Sequence, residues 1–128
     1  MNESQLFNLL KLTYLKDLEK SEIQFSKWDC FSPKYNLRIE LKCRNKHYNQ
    51  LMLEYSKYNF LLTTYKEKNE IPLYINSTPN GIYSFDLRNI KPEWITDSRM
   101  PKTTEFLEIN KVEKTYTLID VEESIKIL

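Results

Sequence analysis

Residues 35–43 alternate in character: Leu37, Ile39, Leu41 and Cys43 fall on one side of an extended chain, and Arg38, Glu40 and Lys42 on the other. The pattern predicts a strand with one buried face. Just upstream, residues 25–31 are rich in aromatic and apolar types, and the intervening Ser32-Pro33-Lys34-Tyr35-Asn36 carries the proline and polar residues of a turn. A hairpin with its loop at residues 33–36 is the economical arrangement. Antiparallel pairing then sets Asp29 across from Glu40, with β-carbons about 5 Å apart.

A longer period follows. From residue 49 to 66, Leu51, Tyr55, Tyr58, Leu62 and Tyr65 recur at helical spacing, which predicts a helix with these side chains facing the core and Gln50, Glu54 and Lys57 along one edge. Near the amino terminus, Asn2 or Ser4 can cap a helix running to about Lys20, with Phe7, Leu10, Tyr14 and Leu18 on its buried face. Residues 71–77 and 82–87 read as strands joined through Thr78-Pro79-Asn80-Gly81, where the Asn-Gly pair supplies the positive backbone angles of a tight hairpin. Residues 88–102 read as a polar loop broken by Pro92 and Pro101 and anchored by Trp94, with Arg99 and Lys102 as solvated cations. Residues 105–119 fit a further strand or pair, with Leu107, Ile109, Val112, Tyr116 and Leu118 as its apolar positions. Asp120 and Glu123 resemble a capping pair before a short terminal helix that would bury Val121, Ile125 and Leu128. The order helix, strands, helix, strands predicts an α+β fold. The 128 residues suffice for one domain spanning 1–128.

Composition narrows the chemistry. A single glycine excludes the phosphate-binding loop, the dinucleotide fingerprint and the kinase loop, so no nucleotide cofactor is expected. A single histidine, His47, excludes two-histidine metal sites. Cys30 and Cys43 have neither zinc-site spacing nor a disulfide framework and are expected to be buried thiols in a reducing cytoplasm. The opening residues lack the basic start and apolar run of a secretory leader, and no apolar stretch is long enough to cross a bilayer, so a cytoplasmic protein without membrane association is expected. The abundance of Lys, Asn, Ile and Tyr suggests an AT-rich phage or bacterial genome.

With a formal net charge of +1, the chain does not coat nucleic acid through bulk charge. Its charges are grouped, however. Lys34, Arg38, Lys42, Arg44, Lys46 and His47 form a basic locus in which Glu40 is the acidic exception, and Arg44, Lys46 and His47 are candidates for contact with a phosphate backbone. Glu40-Leu41-Lys42 is the one acid-x-lysine triplet in the chain, and it falls on the best-patterned strand with Asp29 on the one before. Two carboxylates suit Mg2+, which prefers hard oxygen ligands and needs only one or two of them beside substrate phosphate oxygens. The backbone carbonyl of Leu41 is a further candidate ligand. Lys42, unable to ligate while charged, could orient an attacking water and offset developing negative charge.

Asp29, Glu40 and Lys42 together resemble the PD-(D/E)XK, or restriction-endonuclease-like, nucleases, although Trp28 replaces the proline of the name-giving motif. The resemblance implies a central mixed β-sheet flanked by helices. It also implies a metal-dependent endodeoxyribonuclease that hydrolyses phosphodiesters with Mg2+, or with Mn2+ as substitute, structure-specific and junction-resolving activities being within the family's range. Asp29 and Glu40 would bind metal and Lys42 would position the nucleophile. In that family the helix after the triplet often carries polar residues near the site, a role that Gln50, Glu54 and Lys57 would fill as supporting groups. The first helix often adds a glutamate, for which Glu3, Glu19 and Glu22 are candidates that spacing does not separate. DNA is the implied partner, and small members often form homodimers. The alternative is a non-catalytic nucleic-acid-binding or interaction module on the same fold, or a set of charges that make an ordinary solvated strand face.

Overall fold

The computed structural model describes residues 1–22, 29–101 and 111–127. Helix α1 (Glu3–Thr13) opens on a reciprocal cap: the Asn2 side chain accepts the Gln5 N–H, and the Gln5 side chain accepts the Asn2 N–H. Such a cap contributes about 1 kcal/mol. The helix ends well short of Lys20. The Tyr14 and Leu15 N–H groups both turn back to Leu10 O, and the Asp17 carboxylate accepts bonds from Ser32 Oγ and the Lys34 N–H, which draws this stretch away to pin the 33–36 turn. Leu6, Phe7, Leu10 and Leu18 are buried as a set, while Tyr14, predicted on that face, is exposed.

After the short strand β1 (Glu19–Lys20), strands β2 (Cys30–Ser32) and β3 (Leu37–Cys43) form the predicted hairpin. Cys30 pairs with Ile39, Phe31 with Arg38 and Ser32 with Leu37, and the Asp29 N–H continues the ladder to Ile39 O. Asn36 takes a left-handed conformation (φ 55°) in the turn, which asparagine tolerates. Cys30 is buried and Cys43 half-buried, both as free thiols.

The next element corrects the predicted helix. Residues 50–54 form strand β4 (Gln50–Glu54), and helix α2 (Tyr55–Lys68) begins only afterwards. Leu51 fits a helical stripe with Tyr55 and Tyr58 and equally a period-two pair with Leu53, and pairing with a strand far along the chain decides for period two. In α2 the buried positions are Leu61 and Thr64, with Tyr58 and Leu62 packed beside them, whereas Tyr55 is exposed. Asn69, left-handed at φ 58°, ends the helix.

Strands β5 (Ile71–Thr78) and β6 (Gly81–Asp86) make the predicted Asn-Gly hairpin, with Gly81 at φ 145°. The predicted loop over 88–102 contains a 3-10 turn at Leu87–Asn89 and strand β7 (Ile95–Pro101). Strand β8 (Lys111–Asp120) pairs with both β4 and β7. Trp94 is the expected anchor, its ring edge-on to Tyr55 at 4.9 Å and Tyr58 at 5.2 Å. The predicted terminal helix is a single 3-10 turn (Val121–Glu123) followed by strand β9 (Ile125–Lys126), and Ile125 is exposed where burial was predicted. Residues 25–28, Lys102, Leu107, Ile109 and Leu128 lie outside the described residues.

A six-stranded mixed sheet, ordered β1-β2-β3-β5-β6-β9, is the centre of the fold, and β4-β8-β7 forms a second, antiparallel sheet. Strands β3 and β5 run parallel, joined through β4 and α2. Alternation along β3 and β5 feeds two cores. Ile39, Leu41 and Ile75 pack with α1 on one face; Tyr74 joins Leu51, Leu53 and Leu61 on the other. Glu40 and Lys42 therefore face the side of β4 and α2. Among the described residues, no helix is long and apolar enough to cross a membrane.

Candidate active site

Alternation on β3 aims Glu40 and Lys42 into a cleft of about 260 Å³. Its walls also include Glu3 from the first turn of α1, Glu54 from the end of β4, Lys57 from the first turns of α2, Tyr74 from β5 and Lys114 from β8. Glu3 lines an adjoining depression as well, together with Asp29 and Leu41, and so stands where the two meet.

Glu40 is 8% exposed, and Lys57 Nζ lies 3.3 Å from its Oε1. Its Oε2 is buried with no hydrogen-bond donor among the described residues. Burial above all, and then the Asp29 carboxylate, push its pKa up to about 9; Lys57 opposes them only in part. Asp29 is held by its Oδ2, which accepts the Leu41 N–H at 2.7 Å. Within a strand the N–H and C=O of one residue point to the same side, so the Leu41 carbonyl also faces the edge at which Asp29 sits. Burial raises the Glu3 carboxyl too, followed by the charge of Asp29. Burial lowers the Lys42 pKa, with neighbouring Arg44 adding to the effect.

A divalent cation fits this donor set, because a buried carboxylate oxygen without a donor beside a second carboxylate is costly unless positive charge completes it. Among the described residues, no three Asp, Glu, His or Cys side chains converge into a complete cage. Two carboxylates suit an ion whose remaining ligands are water and substrate oxygens.

The other predicted residues divide. Lys57 reaches the site through its pair with Glu40. Glu54 lines the cleft from a strand end, where its Oε1 meets Lys114 Nζ at 2.8 Å. Gln50 lies four residues before Glu54 on the same strand, about 13 Å away at strand rise, and is not part of the cleft wall. Arg44 lines the cleft but is held tightly: Nε donates to Asn76 Oδ1 at 2.9 Å, and Nη2 donates to Met52 O at 2.7 Å and Tyr74 Oη at 3.0 Å. His47 turns aside, Nδ1 lying 2.9 Å from Thr78 Oγ1 and the ring 5.5 Å from that of Tyr83. Lys46 is exposed and outside the cleft wall. Arg38, part of the predicted basic locus, forms a two-point pair with Glu70 at 2.8 and 2.9 Å. Lys114, Tyr74 and Asn76 were not anticipated; their place depends on pairing between distant strands. Of the three candidate glutamates on the first segment, Glu3 reaches the cleft, and the capping pattern Asn2-x-x-Gln5 is the local signal for its position.

No protein-family model matches the chain, and no curated protein matches it in sequence. Among solved structures, its fold is similar to that of Hjc from Archaeoglobus fulgidus, a Holliday junction resolvase from an archaeal hyperthermophile. The TM-score is 0.58 at 17% identity, over 98% of this chain and 93% of that one. The likeness runs through nearly the whole of both chains, and the chain, with its central mixed sheet, has the restriction-endonuclease-like fold.

Proposed function

We propose that the protein is a Mg2+-dependent DNA endonuclease that hydrolyses phosphodiester bonds, with branched or junction DNA as the favoured substrate class. The observation that carries this reading is Glu40: a buried carboxylate with one oxygen lacking a donor among the described residues, in the field of Asp29, on the same strand face as Lys42. Asp29 and Glu40, with the Leu41 carbonyl, would hold Mg2+ or Mn2+. The ion would supply Lewis-acid stabilisation of charge on the phosphoryl oxygens. Lys42, its pKa lowered, would hold the attacking water by hydrogen bond. Glu3 would add negative charge at the mouth of the cleft. Arg44, Lys57 and Lys114 would draw in the phosphate backbone, with Arg44 kept in a fixed orientation by its three acceptors. The preference for branched DNA is supported by the fold shared with a junction resolvase. Cutting two strands of a symmetric junction would call for a homodimer.

The deciding experiment compares Mg2+-dependent cleavage of linear, nicked, single-stranded and four-way-junction DNA by wild type and Lys42→Ala. Activity in wild type that is nearly abolished in the variant supports the proposal. Equal cleavage by both defeats it. One observation favours a second reading, a DNA-binding module without cleavage: the ammonium of Lys57 already neutralises Glu40 in part. Junction binding with no cleavage by either protein would establish that alternative.

A further inference from the structure

Beside the cleft lies a second pocket of about 490 Å³, lined by Arg44, Tyr48, Asn49, Gln50, Met52 and Leu118. Its chemistry differs from that of the carboxylate cleft. Met52 and Leu118 are cross-strand partners in the β4–β8 pair and make an apolar floor, with Leu118 42% exposed. Tyr48 stands at the rim, 56% exposed. The side chains of Tyr48, Asn49 and Gln50 make no hydrogen bond among the described residues, so two amides and a phenol are available to a ligand. The two pockets share Arg44 and Met52 as a common wall.

An apolar floor, an available aromatic ring and two amides able both to donate and to accept are what a nucleobase requires. The ring and floor take the base faces, and the amides match the edge that Watson–Crick pairing otherwise occupies. A base inside a duplex presents neither its faces nor that edge, so the occupant must be unstacked. Arg44, held rigid in the shared wall, is placed to bind a phosphate between the two pockets. We infer that this pocket receives an unpaired nucleobase adjoining the phosphate held in the cleft, so that within the branched-DNA class a substrate with an unpaired or extruded nucleotide at the cleavage site is favoured. The inference rests on the nuclease reading for the phosphate and on the pocket itself for the base.

The test uses two DNA duplexes with a one-nucleotide bulge, identical except that the bulged residue is an adenosine in one and an abasic residue in the other. Affinity is measured without divalent ion for wild type, Tyr48→Ala and Tyr48→Trp, and cleavage of the adenosine bulge is measured separately with Mg2+. Wild type is expected to bind the adenosine bulge roughly tenfold more tightly than the abasic one, within the range of a single base–aromatic stack. The preference should vanish in Tyr48→Ala and persist in Tyr48→Trp. Equal affinity for the two bulges, or a preference unchanged in Tyr48→Ala, overturns the pocket, and Mg2+-dependent cleavage of the adenosine bulge then leaves the nuclease reading intact. A Tyr48-dependent preference without Mg2+-dependent cleavage supports the pocket and removes the nuclease reading. Absence of binding to either duplex overturns both.

Discussion

Lys57 Nζ lies 3.3 Å from Oε1 of Glu40 and leaves Oε2, the buried oxygen, without a donor among the described residues. The pair is thus half-neutralised. A carboxylate in that condition holds a proton until something more positive displaces it, and the first prediction follows from this.

Glu40 has a folded pKa of about 9 against an ordinary 4.5, so in the absence of metal the folded chain binds more protons than the unfolded one between those values. The stability this group contributes is full below about pH 4.5 and is lost as pH rises toward 9. The raised Glu3 acts in the same sense, while the lowered Lys42 acts oppositely at the alkaline end. Thermal melts from pH 5 to 9 should show the decline. Glu40→Gln should flatten it, and Mg2+ should restore stability more at pH 8.5 than at pH 6, because binding releases the proton. A decline of the same size in Glu40→Gln would assign it elsewhere.

Lys42→Ala should lower the cleavage rate by about 10²- to 10⁴-fold, the usual contribution of a positioned proton-transfer or orienting group. Junction affinity should change by less than tenfold, since Arg44, Lys57 and Lys114 remain. Single-turnover rates set beside binding isotherms separate the two quantities. A parallel loss of both would make Lys42 a phosphate anchor.

Asn2→Ala removes the cap that holds the start of α1, at a cost of about 1 kcal/mol in stability. Because Glu3 is the next residue, the variant should also need more Mg2+ for half-maximal cleavage, as should Glu3→Gln with its cap intact. Chemical denaturation and metal titration of both variants provide the check. A change in stability alone would place Glu3 outside the site.

Asn76→Leu deprives Arg44 Nε of its acceptor inside the fold, where Asn76 is fully buried. The expected loss is about 1–3 kcal/mol for a buried donor left unpaired, offset in part because Asn76 Nδ2 itself has no partner among the described residues. Junction affinity should fall as Arg44 loses its fixed orientation. Unchanged affinity in a destabilised variant would make Asn76 purely structural.

The β2–β3 hairpin was legible because three local signals agree: period-two alternation, a proline turn, and apolar residues on both arms. With the register known, Asp29 and Glu40 follow. The β5–β6 hairpin was legible for the same reason, through Asn80-Gly81. Strand β4 was not. Leu51 can be read with Leu53 as a strand or with Tyr55 and Tyr58 as a helix, and the partner that decides, β8, lies some sixty positions away. Strand β7 was hidden by Pro92 and Pro101, which read as loop residues, although Pro101 falls at a strand end, where a missing N–H is tolerated. Lys114 had no local signal, since its place in the cleft exists only through that same distant pairing. Glu3 was one of three equivalent acids until the course of α1 brought it to the mouth.

Strand β3 carries its two duties on opposite sides, with Ile39 and Leu41 in one core and Glu40 and Lys42 in the cleft. Substitution can therefore alter either duty separately, but a one-residue deletion within the strand would exchange its sides, thrusting a carboxylate and an ammonium among aliphatic side chains and presenting leucine to the solvent. Gene variants of this segment should accordingly differ by replaced codons and never by gained or lost ones.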